Sequence, residues 1–209
     1  KLKGIVEISG SKNSSLPILA STLLSKKKIK ITNLPKVQDI KTMLSLLRSL
    51  GSKIKFDQKN KIIEINNSRS IKSFASYNLV KTMRAGILVL GPLLARLKKA
   101  KVSLPGGCAI GARPVDMHLK ALSKLGAKYK IKNGYIFAEA NKGLIGNKIK
   151  FPKISVGATE NLIIASCFAK GETILSNCAI EPEIDDLINF LNKMGCKIKK
   201  IQKRVIKVL

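Results

Sequence analysis

The sequence predicts an α/β fold: three βαβαββ units in one closed domain, with helices inside. Three observations point to it. An amphipathic helical face recurs three times and ends each time at a glycine. A second, more apolar helix lies upstream of each face. Two strand-like runs lie downstream of each.

Residues 1–10 alternate like a strand and lead into the first unit. Residues 16–24 follow as a helix that is apolar nearly all round, the pattern of an element buried inside a domain. Residues 29–31 read as a strand. Ile40, Met43, Leu44, Leu47 and Leu50 then share one helical face, and Gly51 suits a left-handed cap. Strands over 53–56 and 62–65 close the unit. The second unit repeats the order. It has an apolar helix over 85–97, a strand over 101–104, and a helix with Val115, His118, Leu119, Leu122 and Leu125 on one face. Gly126 ends that helix, and strands over 128–131 and 135–138 follow. The third unit has its apolar helix over 162–169 and a strand over 173–175. Ile184, Leu187, Ile188, Leu191 and Met194 then run into Gly195, and strands over 197–199 and 205–208 follow. The units span about 12–66, 80–140 and 155–209 of one domain covering 1–209.

Units 1 and 3 keep a constant offset of 144 residues: Asn33 to Asn177, Ile40 to Ile184, Gly51 to Gly195. Unit 2 departs from them. Pro35 lies five residues before Ile40, whereas Pro105 lies ten before Val115. The added stretch, Gly106-Gly107-Cys108-Ala109-Ile110-Gly111, sets a thiol among glycines that allow close approach of a ligand. Function is expected there; a small cysteine in a tight turn is the plainer alternative. His118 stands where units 1 and 3 place Met43 and Leu187. Its helix begins with Arg113-Pro114-Val115-Asp116, and a polar cluster at a helix start suits an anion. Other starts agree: Ser9-Gly10-Ser11-Lys12-Asn13-Ser14-Ser15, Lys81-Thr82-Met83-Arg84, and Ser155-Val156-Gly157-Ala158-Thr159-Glu160 after Lys153. Together they predict a phosphate-rich small substrate. No Walker A or Rossmann pattern is present.

The chain of 209 residues carries 40 Lys+Arg against 12 Asp+Glu, a net charge of +28. That charge invites a nucleic-acid reading. The composition argues against it: 34 of the cations are lysine, aromatics are 4%, and Trp is absent. A lysine-rich solvated surface fits better. No apolar run approaches the length of a membrane span. Cys108, Cys167, Cys178 and Cys196 show no CxxC or Cys/His ligand spacing, so reduced thiols in a cytoplasmic protein are expected.

Residues 4–17, Gly4-Ile5-Val6-Glu7-Ile8-Ser9-Gly10-Ser11-Lys12-Asn13-Ser14-Ser15-Leu16-Pro17, resemble the opening of the UDP-N-acetylglucosamine enolpyruvyl transferases. Leu104-Pro105-Gly106-Gly107-Cys108-Ala109-Ile110-Gly111-Ala112-Arg113-Pro114-Val115-Asp116 resembles their cysteine-loop motif. Ser155-Val156-Gly157-Ala158-Thr159 and Glu181-Pro182-Glu183-Ile184 also fit. The resemblance implies an inside-out α/β barrel. It implies transfer of the enolpyruvyl group of phosphoenolpyruvate to the 3-hydroxyl of UDP-N-acetylglucosamine with release of phosphate. In the family this is the first committed step of peptidoglycan synthesis, and it needs no metal or organic cofactor. Lys12 and Asn13 would contact phosphoenolpyruvate. Cys108 would donate the proton to its methylene carbon and react with fosfomycin. Arg84, Arg113, Pro114, Val115, Asp116, Met117, Lys153, Ile154, Ser155 and Val156 would line the nucleotide-sugar site, with His118 supporting them.

Members of this family are about twice as long, with two such domains and the active site between them. The resemblance covers the N-terminal half and implies a second domain or chain that completes the site, including the aspartate base. Residues 1–10 would belong to that second domain. Two other classes remain open: a non-catalytic UDP-sugar-binding module, and a basic nucleic-acid-binding protein.

Overall fold

Residues 3–6, 8–57, 62–68, 70–81, 83–106 and 115–209 are described by a computed structural model of the chain. In the first unit α1 (Lys12–Ser21) runs into a 3₁₀ turn (Thr22–Leu24) and then β1 (Ile29–Thr32). Helix α2 (Gln38–Ser49) and strands β2 (Lys53–Asp57) and β3 (Ile62–Asn66) follow. The second unit holds β4 (Phe74–Ala75), α3 (Tyr77–Val80), a 3₁₀ segment (Arg84–Val89) that continues as α4 (Leu90–Leu97), and β5 (Lys99–Ser103). It closes with α5 (Asp116–Lys124), β6 (Lys128–Lys132) and β7 (Tyr135–Glu139). The third holds β8 (Lys148–Lys150), α6 (Val156–Ser166), β9 (Thr173–Ser176), α7 (Pro182–Lys193), β10 (Ile198–Gln202) and β11 (Val205–Val208).

Each unit makes its own sheet, and the sheets share one design. The orders are β4-β5-β7-β6 and β8-β9-β11-β10, and the first pairing in each is parallel. The first unit gives β1-β3-β2, the same order without a leading strand. The strand expected over 1–10 is absent from its described residues. Ile5, Val6 and Ile8 are instead exposed. Alternation makes a segment able to pair; only an accepting edge makes it a strand.

The three helix-ending glycines do what their positions predict. Gly51, Gly126 and Gly195 have φ of 105°, 91° and 103°. The residue after each donates back into the helix: Ser52 N–H to the Leu47 carbonyl, Ala127 to Leu122, and Cys196 to Leu191. This is the left-handed Schellman cap three times over.

Three helices begin differently from expectation: α1 starts at Lys12, four residues ahead of the expected run, because Ser11 caps it. Helix α6 starts at Val156, six residues ahead of the apolar run, because Ser155 caps it. The Ser155 hydroxyl accepts the Ala158 N–H at 3.3 Å. The helix expected over 85–97 opens as 3₁₀. Pro92 has no N–H for the Leu88 carbonyl, so the turn before it lacks that α-helical bond.

The helices are inside and the sheets outside. Every residue of α6 from Ala158 to Ser166 is buried, while all five residues of β6 are exposed. Leu19, Leu23, Leu90, Leu93, Leu94, Leu162, Ile163 and Ile164 meet in one continuous core. This inside-out arrangement is the α/β fold expected from the repeats. Buried polar groups lock its centre. The Asn161 amide of α6 accepts the Gly91 N–H (2.8 Å) and donates to the Ile87 carbonyl (3.1 Å) and to His118 Nδ1 (3.1 Å). Arg96 of α4 donates to the carbonyls of Leu23 (2.7 Å), Ser25 (3.2 Å) and Asn67 (2.7 Å), tying unit 2 to unit 1.

Gly91 sits where α4 presses on α6. A Cβ there would fall 2.3 Å from Asn161 Oδ1 and 2.7 Å from its backbone oxygen. At Gly126 a Cβ would meet nothing within 4 Å, and only the φ of 91° opposes it. Urea unfolding should therefore rank the two. Gly126→Ala is expected to cost about 1 kcal/mol, for backbone strain alone. Gly91→Ala should cost about 3 kcal/mol, for overpacking and a distorted buried hydrogen bond. Equal losses would contradict the close approach of α4 and α6.

Candidate substrate site

The helix starts of different units converge on one cavity of about 600 Å³, a size that suits a small-molecule ligand. Lys12, Asn13, Leu16 and Pro17 of α1 form one wall, with Asp39 of α2 beside them. Met83, Arg84, Ala85, Ile87 and Leu88 form a second. Met117 and His118 of α5 contribute a third. Residues Ile154 to Gly157 and Glu160 bring the start of α6, and Glu183 brings the start of α7.

Capping chemistry positions these groups. Ser11 accepts the Ser14 N–H at 3.3 Å, and Ser15 donates to the Ser11 carbonyl at 2.6 Å. Ser155 and Thr159 repeat that arrangement at the start of α6. Ser155 satisfies the Ala158 N–H, so the N–H groups of Val156 and Gly157 have no partner inside the helix. In α1, Pro17 brings no N–H to the Asn13 carbonyl. Lys12 Nζ lies 3.2 Å from Asp39 Oδ2, so that cation is held at the cavity wall.

His118 is buried, and its ring state follows from its neighbour. The Gly91 N–H can only donate and the Ile87 carbonyl can only accept, which fixes the Asn161 amide. Its remaining N–H goes to His118 Nδ1, so the imidazole proton sits on Nε2. Burial, with the Arg84 cation nearby, pushes the His118 pKa down to about 4. The ring is a neutral polar group at neutral pH. Glu160 is shifted the opposite way, up to about 8, by burial and by the carboxylates of Glu183 and Glu181.

Most of the residues singled out by sequence meet here: Lys12, Asn13, Arg84, Met117, His118, Ile154, Ser155 and Val156. Cys108, Arg113 and Pro114 lie outside the described residues. Val115, Asp116 and Lys153 are not in the lining. Val115 turns into the core at 9% exposure, while Asp116 and Lys153 are exposed. Asp39, Glu160 and Glu183 were not singled out as site residues. For Asp39 and Glu183 a signal was available: each lies in the first turn of its helix.

The other thiols differ in character. Burial pushes Cys178 up to about 12. A shared hydrogen bond raises Cys167 and lowers Cys196, which makes Cys196 the more ionisable of that pair.

A sequence profile for EPSP synthase (3-phosphoshikimate 1-carboxyvinyltransferase) matches residues 1–208. The chain belongs to this family. A UDP-N-acetylglucosamine 1-carboxyvinyltransferase of Pelagibacter ubique (strain HTCC1062) is 69% identical over 208 residues, 100% of this chain and 49% of that protein. One from Helicobacter pylori (strain P12) is 55% identical over 207 residues, again 49% of its length. The chain thus spans about half the length of the curated relatives it matches. The enolpyruvyl transferase NikO from Streptomyces tendae superposes with a TM-score of 0.85 at 18% identity, over 99% of this chain and 48% of that one. EPSP synthase from Acinetobacter baumannii gives 0.76 at 19% identity, over 99% and 46%. These structural matches establish the EPSP synthase fold seen here. No helix among the described residues is long and apolar enough to cross a membrane.

The two shifted groups make stability depend on pH in opposite senses. The unfolded His118 ring binds a proton that the buried ring refuses between about pH 4 and 6.5, so stability rises with pH there. Folded Glu160 keeps a proton that the unfolded side chain loses above 4.5, so its contribution falls as pH rises to about 8. Of these two, Glu160 alone contributes a slope between 6.5 and 8. Urea midpoints should therefore decline over that interval, and Glu160→Gln should flatten the decline. An unchanged slope in the variant would refute the assignment.

Proposed function

We propose that the chain is the cysteine-bearing half of a UDP-N-acetylglucosamine 1-carboxyvinyltransferase acting in the cytoplasm. The observation that carries the reading is convergence. Residues drawn from α1, the 3₁₀ segment, α5 and the start of α6 line one cavity, and eight of them are residues that the resemblance selects. The identity of 69% to the Pelagibacter relative across the chain supports the same substrates.

In this reading Lys12 and Arg84 supply positive charge to two anionic substrates, phosphoenolpyruvate and UDP-N-acetylglucosamine. The free N–H groups of Val156 and Gly157 add anion-binding donors at the start of α6. Asn13 contacts phosphoenolpyruvate. Met117, Ile154, Ser155 and Val156 form the nucleotide-sugar wall, and neutral His118 holds its shape through Asn161. The 3-hydroxyl of the sugar adds to C2 of phosphoenolpyruvate while Cys108 delivers a proton to C3. Loss of a proton from C3 and of phosphate from C2 then restores the double bond. The base for the hydroxyl comes from a second domain or chain. A second reading, a module that binds the nucleotide sugar without turnover, uses the same cavity residues.

Phosphate release from phosphoenolpyruvate separates the two. The 209-residue chain alone should bind UDP-N-acetylglucosamine saturably and release no phosphate. Sugar-dependent release should appear when the other half of a relative is supplied, and Cys108→Ser should abolish both this release and fosfomycin labelling. Saturable binding with no release under any pairing favours the binding module. Labelling spread over all four cysteines would overturn the assignment of Cys108.

A further inference from the structure

Helix α6 carries a single charged side chain, Glu160. It is 5% exposed, lines the cavity, and makes no hydrogen bond or ion pair among the described residues. A buried carboxyl without a partner destabilises the fold that holds it. Nor does the fold need an acid there. The offset of 144 residues sets Ser11 and Ser15 of α1 on Ser155 and Thr159 of α6, and it sets Leu16 on Glu160. Leu16 is 6% exposed and lines the same cavity, so leucine fills the position in unit 1.

The neighbours differ in the same way. The offset relates Asp39 to Glu183 and Lys12 to Val156. In unit 1 the lysine neutralises the aspartate at 3.2 Å. In unit 3 the lysine position is apolar, and Glu160 faces Glu183 instead. Among the described residues, neither a solvated surface position nor an ion pair accounts for the burial of Glu160.

We propose that Glu160 is a ligand-contacting residue of this cavity, its carboxyl O–H donating a hydrogen bond to a phosphate or carboxylate oxygen of the bound substrate. The proposal rests on the reading of the cavity as the site for phosphoenolpyruvate and the nucleotide sugar. An O–H donor to an anionic oxygen makes a strong, short bond, and loss of its proton turns attraction into repulsion. Helix α6 is packed against α1, the 3₁₀ segment, α4, α5 and α7, and these bring the charged and titratable groups around Glu160. Lys12 comes from α1, Arg84 from the 3₁₀ segment, and Asp116 and His118 from α5. Glu181 and Glu183 come from the start of α7, and Arg96 of α4 is bound to carbonyls elsewhere. Burial beside two glutamates keeps the Glu160 proton in place up to about pH 8. The site is thus set to take anions at neutral pH and to reject them in alkali.

The test follows the Glu160 carboxyl by ¹³C NMR in the 209-residue chain, with its resonance assigned by loss in Glu160→Gln. The midpoint in the free chain is expected near 8. UDP-N-acetylglucosamine should raise it by about one pH unit, a tenfold coupling between ligand and proton. Wild-type affinity should fall above that midpoint, while affinity of Glu160→Gln and of Glu160→Leu, which carries the unit 1 residue, should stay level. A rise with inorganic phosphate but not with UDP-N-acetylglucosamine sustains the role of Glu160 and counts against the nucleotide-sugar reading. No shift with either probe, a downward shift, or the same pH dependence in wild type and Glu160→Gln overturns the proposal.

Discussion

Asn161 is the point at which the helices of the second and third units are held in one register. Its amide oxygen takes a backbone N–H from Gly91 at the head of α4, and its two N–H bonds go to Ile87 and His118. All of these groups lie in the water-excluded centre, where each unmade hydrogen bond would be expensive. The amide has one orientation that satisfies them. That orientation sets the tautomer of His118, and His118 packs against Gly157 at the start of α6. A core packing requirement therefore fixes the geometry of the cavity floor.

The charge of the molecule is distributed to match. The excess of lysine covers the sheets, whose outer strands face water; Lys101, for example, lies 4.8 Å over the rings of Phe74 and Tyr135. The cavity takes few ionisable groups, and each has a defined partner or environment. Lys12 is held by Asp39, and Glu160 stands beside Glu183. The net charge of +28 thus favours the approach of anions in general.

Much of this architecture was legible in the sequence because it depends on local rules. The helical faces ending at Gly51, Gly126 and Gly195 need only periodicity and one positive φ each. Lys12, Asn13, Arg84 and Ser155 were found because they sit at helix starts, where free N–H groups and cations act together. What was missed depends on partners. The alternation over 1–10 gave no strand among its described residues because strand formation needs an accepting edge. The start of α6 was placed too late because the apolar run outweighed the Ser155 cap. Glu160 reads in isolation as a solvated residue near a helix start. Only its alignment with Leu16, together with its burial, shows that it faces inward.

If the helix starts of three units form one anion-binding cavity, their backbone amides respond first to a bound anion. The most direct measurement is a map of backbone amide NMR shifts in the 209-residue chain titrated with UDP-N-acetylglucosamine. Saturable shifts are expected at Lys12, Asn13, Arg84 and Ala85, and from Ser155 to Gly157. Shifts concentrated instead on the outer face of the second sheet, around Phe74, Tyr135 and Phe137, would contradict the anion-binding cavity.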